Sequence, residues 1–568
     1  MFVRTMPQRY LRSATELKKL PTSPSTDAHS RLAGIGFCCR AAQLAGYLAI
    51  AIVVVLLLDR AYLYCAYALT AIRYPFGLNY GEGIVWQQAL LIPSSAMYGD
   101  INKYPYIVFH YPPLYHLVIR LVTGLGADWL SAGRAVSVVS TLTAVLLCGV
   151  LIYNVGRQAF GRVPSFLGGV VGGLAILTQH SVIEWSILMR VDMLALAVGL
   201  AGLLFCERSF DQPRYLYIAV IAFIAAIYTK QTAVAAAIAG VGPFLVLQPR
   251  RALPPVVLGL VLAAAILAWL SWYTNQRFLQ HIVEYNISRF DWRIAYWWTL
   301  SLIRRNAWFI LVGAAGMTAA ILFALAELRI RQPLSVVSRL RHSRFAWVTL
   351  TLLMYLAASS ATLITQGKSG ADVNYTIEWL CVLSLFVGLA VTFAMHCALQ
   401  SQQSALGLLR SIALIVIASA IGLQVWNAPL PDGSKFSNMQ ERRQLMQLAR
   451  WVREARRPVL SDDMVLLLEA GKQVPLEPST FAELAATGRW DERRSVDLVK
   501  SGFYQFIVTV GDRGDPLFNS RYNPAVIGAI EAFYPRKVDY AGYKIHLSDH
   551  SGCDVGPPLR CTSDGLEH

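Results

Sequence analysis

At 568 residues, with 55% hydrophobic and only 15% charged side chains, the chain is too apolar for an ordinary soluble protein, in which about 25% of residues are charged. Its formal net charge of +16 would suggest nucleic acid in a soluble protein, but no basic motif with interleaved aromatics accompanies it. The excess suits a membrane protein that keeps Lys and Arg in its inner loops.

Residues 1–40 form a basic N-terminal tail carrying Arg4, Arg9, Arg12, Lys18, Lys19, Arg31 and Arg40. The apolar run that follows, Ala41 to Leu58, is long for a signal-peptide core and has no small-residue cleavage site, so it reads as an uncleaved first span. Similar runs recur at Val163 to Thr178, Leu253 to Leu270, Phe345 to Ile364 and Leu380 to Ala398. Each is near the ~20 residues that cross a bilayer. Breaks at Pro, Gly and charge clusters divide residues 41–426 into about eleven spans. With the N-terminus inside, Arg157 and Arg162, then Arg208 and Arg214, then Arg250 and Arg251, fall in successive inner loops. Arg329 to Arg344 and Arg410 continue the alternation, as the positive-inside rule requires. An odd number of spans puts residues 427–568 outside. The expected fold class is a polytopic α-helical membrane protein, N-in and C-out, with a periplasmic α/β domain at its C-terminal end.

The first outer loop, residues 71–132, holds two amphipathic stretches, Ile84 to Met97 and Leu114 to Val122, that read as helices lying in the interface. A second outer segment, Asn275 to Arg305, is rich in Trp, Tyr and Arg, as anchoring at the headgroup level demands. In the tail, helices are expected over Met439 to Ala455, Phe481 to Ala486, Arg493 to Lys500 and Pro524 to Phe533. Strands are expected at Pro458 to Leu460, Gln473 to Leu476, Phe506 to Val510 and Tyr543 to Leu547, the mixture that makes a small α/β domain. Seven of the nine cysteines lie in or beside apolar segments, without metal-ligand spacing; Cys553 and Cys561, in the polar tail, form or lack a disulfide with equal expectation in an oxidising compartment. The last residues, Leu566-Glu567-His568, match a cloning scar leading into a histidine tag.

No Walker sequence, zinc pair or nucleophile elbow is present. What remains is ionisable residues at the outer ends of apolar helices, where they are costly and therefore functional candidates. Glu82 sits in Tyr80-Gly81-Glu82-Gly83, where glycines permit close approach of a ligand and a carboxylate has the chemistry of a general base. Its plainer reading is a solvated loop residue. His110-Tyr111-Pro112-Pro113 is a turn whose prolines fix the backbone and start the next helix. Arg190 and Asp192, Lys230, and Lys368 with Asn374 and Tyr375 lie at outer turns. Several cations on one membrane face suit an anionic phosphate, although each alone also reads as a snorkelling side chain.

Taken together, these motifs resemble the GT-C superfamily of membrane glycosyltransferases, in the branch of bacterial relatives of protein O-mannosyltransferases that modify lipid A and lipopolysaccharide. The resemblance rests on the loop around Glu82, His110 to His116, Gly133-Arg134, Arg190 to Leu194 and Thr229-Lys230. It implies a polyprenyl-phosphate sugar as donor and an envelope lipid, glycan or protein hydroxyl as acceptor. It also implies an active site on the periplasmic face of the bacterial inner membrane. Where the family has an Asp-Glu pair in the first loop, this chain has Gly81-Glu82, so Glu82 serves as catalytic base alone or with Asp192. Arg190, Lys230, Lys368, His110, Tyr111, Arg134, Asn374 and Tyr375 are then the expected donor ligands. Where the aminoarabinose branch has Glu-Lys before the paired prolines, this chain has His110-Tyr111, which leaves metal binding and phosphate contact at this turn open. No cofactor is required, a divalent metal being the one candidate, and membrane lipids but no nucleic acid are expected partners. The rival readings are a lipid-linked oligosaccharide ligase or polymerase with a diphosphate donor, and a non-enzymatic lipid or glycan transporter.

Overall fold

The computed structural model describes residues 26–330, 335–400 and 404–548. Cys553 and Cys561 lie outside the described residues. Seven described helices are long and apolar enough to cross a membrane: Gly36–Arg73, Trp129–Ala159, Pro249–Tyr273, Ala307–Arg329, Arg344–Gly367, Val373–Leu399 and Ala405–Asn427. Packed among them are the shorter helices Arg162–Ala175, Asp192–Ser209, Tyr215–Thr229 and Ala235–Leu247. Leucine and valine on the outward faces remain exposed, Leu121, Val246 and Leu260 among them. Between helices the packing relies on small residues, because apolar side chains gain nothing by leaving lipid for protein. Gly168 and Gly172 of one helix lie against Gly388 of the enclosed Val373–Leu399 helix, with backbone close enough that an added methyl would collide.

Beyond the last apolar helix comes a four-stranded sheet, β1 (Leu460–Ser461), β2 (Phe506–Thr509), β3 (Arg536–Tyr540) and β4 (Tyr543–Leu547), in the order β1-β2-β4-β3. β1 runs parallel to β2, and β4 is antiparallel to both β2 and β3. Every residue of β2 is buried, as a central strand covered on both faces requires. β3 and β4 join through Ala541 and Gly542, both at positive φ (54° and 79°), the backbone of a two-residue hairpin turn. Helices Met439–Glu454, Pro478–Ala486, Arg493–Lys500 and Pro524–Phe533 stand where the sequence predicts them. Two differences have simple causes. Gln473 to Leu476 forms only one bridge, Tyr106 to Leu476, because its partner is the first outer loop rather than the sheet. β3 went unpredicted because an edge strand of alternating exposed charges, Arg536, Lys537 and Asp539, has no apolar period to read.

The first outer loop departs further from expectation. Its first helix runs Glu82–Leu91, and residues Glu82 through Ala89 are all buried, so it does not lie in the lipid interface. It is sandwiched against the tail helix Met464–Glu469, with Gln87 Oε1 accepting from Val474 N–H at 3.0 Å. The second helix, Leu114–Thr123, does keep an apolar outer edge: Leu117 and Leu121 are exposed while Tyr115, His116 and Ile119 are buried. In the second outer segment the Trp292–Arg305 helix exposes Trp292, Tyr296 and Trp297, as anchoring requires.

Candidate active site at the ends of the helices

The first outer loop folds around a buried ion pair. Arg134, near the start of the Trp129–Ala159 helix, meets the fully buried Glu82 with two parallel bonds, Nε to Oε1 and Nη2 to Oε2, each 2.8 Å. Oε1 also accepts from Met189 N–H (2.9 Å) and Oε2 from Leu78 N–H (2.7 Å). These four bonds fill the roughly four acceptor positions of a carboxylate. Arg134 spends its other N–H groups on the carbonyls of Ala71, Tyr74 and Phe76, at 2.6–2.8 Å. Burial pushes the Glu82 carboxyl up, but the Arg134 charge and the donated bonds outweigh it and hold the group below its ordinary value. Arg134 has no N–H left for a donor phosphate, and Glu82 has no vacant lone pair for an acceptor hydroxyl. The pair is a pin that ties the loop to the helix behind it.

The flanking glycines answer to packing, not to ligand access. A Cβ on Gly81 would lie 1.9 Å from Arg190 Nη2, and one on Gly83 would lie 2.5 Å from Met464 Cβ. Gly81 therefore lets Arg190 rest on the loop backbone, and Gly83 lets the tail domain dock.

Beside the pin lies a second polar cluster. Asp192 begins the Asp192–Ser209 helix, where the dipole favours a carboxylate. Its Oδ1 accepts from Lys230 Nζ at 2.6 Å and Asn374 Nδ2 at 2.9 Å; its Oδ2 accepts from Trp185 Nε1 at 2.7 Å. Oδ2 thus keeps acceptor capacity that Glu82 lacks. Asp192, Lys230 and Asn374 line a cavity of about 40 Å³ together with Glu378. Lys230 also stands 5.3 Å from the centre of the Tyr375 ring. Two residues before Asp192, Arg190 lies over the Trp185 ring at 5.1 Å and donates to Asn79 Oδ1 at 2.5 Å, while its buried Nε has no partner. Tyr111 faces this group: burial pushes its hydroxyl up to about 12, and Arg190, Asp192, Lys230 and Tyr375 all act on it.

His110 occupies the join with the tail domain. Its Nε2 lies 3.0 Å from Glu477 Oε2 and its Nδ1 lies 3.3 Å from Asn286 Oδ1. Asn286 directs its Nδ2 at the carbonyls of His281, Ile282 and His110, so its oxygen must face the imidazole. Two acceptors therefore face the two ring nitrogens, which makes His110 a doubly protonated cation. Burial opposes that charge, but Glu477 and the two hydrogen bonds raise the group above its ordinary value. Lys368 joins the same network, donating to Asn286 O at 3.0 Å. Behind it His281 is held neutral, burial pushing it down to about 4, and it accepts from Phe109 N–H at 3.0 Å.

A raised imidazole stabilises the docked tail fully below the ordinary histidine value of ~6.5, and the contribution disappears as pH rises through the higher folded value. The melting temperature of the full chain should therefore fall as pH rises across that window. Glu477→Gln should remove the dependence and cost about 1.5–3 kcal/mol at low pH. A pH profile unchanged by the substitution would show that His110 is neutral in the folded protein.

The structure thus brings Arg190, Asp192, Lys230, Asn374, Tyr375 and Tyr111 into one neighbourhood and sets His110 with Lys368 beside it. Glu82 and Arg134 lie alongside, bonded to each other and to backbone groups. Sequence reasoning missed Asn79, Trp185, Asn286 and Glu477. Asn79 stands one residue before the Tyr80-Gly81-Glu82 motif, and Glu477 precedes a proline at a helix start, but nothing local says what either touches. Among the described residues no three His, Cys, Asp or Glu side chains converge into a group that could hold a metal ion.

Residues 110–272 match the family model described as dolichyl-phosphate-mannose-protein mannosyltransferase. That stretch holds Tyr111, Arg190, Asp192 and Lys230 but stops short of Lys368 and Asn374. No curated protein sequence matches the chain. Among solved structures, apo ArnT from Cupriavidus metallidurans aligns over 87% of this chain and 97% of its own, at 13% identity and a TM-score of 0.53. ArnT from the same organism bound to undecaprenyl phosphate aligns over 87% and 98%, at 14% identity and a TM-score of 0.52. Residues 110–272 are thus similar to that mannosyltransferase family, and the chain as a whole shares the fold of ArnT.

Proposed function

We propose that this protein moves a sugar from a polyprenyl-phosphate donor to the hydroxyl of an envelope lipid, glycan or protein, at the periplasmic face of a bacterial inner membrane. The observation that carries the reading is the Asp192 cluster. It places a carboxylate with spare acceptor capacity beside Lys230 and Arg190, at the outer ends of helices in a fold shared with a protein crystallised with undecaprenyl phosphate. The N-in, C-out arrangement with about eleven spans supports the orientation, since it keeps the Arg329 to Arg344 loop inside.

In this reaction the acceptor oxygen attacks the anomeric carbon from the face opposite the phosphate, so the configuration inverts. The bond from that carbon to the phosphate oxygen breaks, and polyprenyl phosphate leaves with the electron pair. Asp192 Oδ2 takes the acceptor's proton. Arg190, through its unpartnered Nε, and Lys230 neutralise the phosphate, with His110 and Lys368 adding positive charge from the side. A preorganised contact of this kind is worth about 3 kcal/mol in the transition state. Tyr111, Tyr375 and Asn374 shape the space around the sugar.

The test is transfer by the purified full chain from a radiolabelled polyprenyl-phosphate sugar. Arg190→Gln should weaken donor binding about tenfold or more with the melting temperature unchanged. Transfer from a polyprenyl diphosphate donor, with none from the monophosphate, would overturn the reading in favour of an oligosaccharide ligase.

A further inference from the structure

At the opposite ends of the helices from the Asp192 cluster lies a cavity of about 630 Å³, lined by Phe210, Gln248, Pro249, Arg250, Arg251, Arg341 and His342. Three elements build it: the end of the Asp192–Ser209 helix, the start of the Pro249–Tyr273 helix and the end of the short Val336–His342 helix. Three arginines and a histidine line it, and no carboxylate does. The acids nearest in sequence are already neutralised, because Arg344 pairs with both Glu207 and Asp211. Among the described residues no acidic side chain pairs with Arg250, Arg251 or Arg341.

The cations are held in place by neutral groups. Arg341 Nε donates to Leu247 O, which ties the short helix to the turn, and Arg251 Nη1 donates to Gln248 Oε1 at 3.1 Å. His342 Nδ1 faces Ser338 O at 2.7 Å, so that nitrogen carries a proton. Phe210 is braced edge-on against Trp347, with centroids 6.0 Å apart. Arg250 and Arg251 also occupy the first turn of a 25-residue helix, whose positive end adds to their field.

We propose that this cavity binds the phosphate of an anionic phospholipid of the inner leaflet. Phosphate suits the chemistry, because guanidinium forks bind its oxygens in pairs. Lipid is the source that suits the surroundings. Val246 is 76% exposed, and Leu253 and Val257 are more than half exposed, on the segments that flank the arginines. An aliphatic wall therefore continues from the cationic rim into the bilayer, ready for acyl chains. The site would fasten the inner end of the helix that begins at Asp192, independently of any donor at the outer face.

Native mass spectrometry of the full chain, released from nanodiscs of phosphatidylcholine and phosphatidylglycerol, tests the assignment. The wild type should retain phosphatidylglycerol selectively. The combined Arg250→Gln, Arg251→Gln and Arg341→Gln variant should lose about tenfold or more of that retention, with an unchanged melting temperature in phosphatidylcholine alone. If the triple variant does not fold, Arg250→Gln and Arg251→Gln, both exposed, carry the same test singly. Equal retention by wild type and variants would overturn the proposal. Full displacement of the lipid by inorganic phosphate would overturn it too, by showing a site for the free ion.

Discussion

Asp192→Asn is expected to lower turnover by about a hundredfold or more while leaving polyprenyl-phosphate binding in place. Asparagine keeps the shape and an oxygen for Trp185 Nε1, but it cannot take a proton, and general-base help contributes roughly two to four decades of rate. Donor affinity should survive, or rise slightly, because Lys230 is released from its 2.6 Å pairing and becomes free for the phosphate. Single-turnover kinetics with a labelled donor, read beside donor binding, separate the two effects. An Asp192→Asn enzyme that binds poorly but turns over normally would make Asp192 a holder of Lys230 and not the base.

Glu82→Gln is the second large effect, and it falls on stability. Whichever way the amide is turned, its NH2 would face one N–H of Arg134 and one backbone N–H, that of Met189 or that of Leu78, all of which are donors themselves. Removing one partner of a buried pair leaves the other charge uncompensated and costs about 3–5 kcal/mol. The expected result is a marked loss of melting temperature and of folded yield, with near-normal turnover in whatever fraction folds. Arg134→Gln should behave alike. A Glu82→Gln variant that melts normally and is inactive would restore Glu82 as the base.

The sequence alone ranks Glu82 ahead of Asp192 as the base, and these two substitutions test that order. Sequence locates an acidic residue in the first outer loop and flanks it with glycines. It cannot show that Gly81 is filled by Arg190 and Gly83 by Met464. Both are contacts from segments far along the chain, and spacing within the loop carries no trace of them. The same blindness hid Glu477, which meets His110 across 367 positions, and Asn286, which orients that histidine.

By itself the sequence determined the class of molecule and most of its elements. Long apolar runs have no soluble alternative, and the tail's helices at Arg493–Lys500 and Pro524–Phe533 follow from apolar periods bounded by strong breakers. It also marked Arg190, Asp192 and Lys230, because a charge at the end of an apolar helix is costly wherever it lies. Only the tertiary structure decided which of the buried charges are spent and which are free. Periodicity reports that a residue is buried, whereas pairing depends on which atoms of distant helices arrive within hydrogen-bond reach. At that range Arg134 and two backbone N–H groups saturate Glu82, while Asp192 Oδ2 accepts a single bond and keeps an acceptor position open.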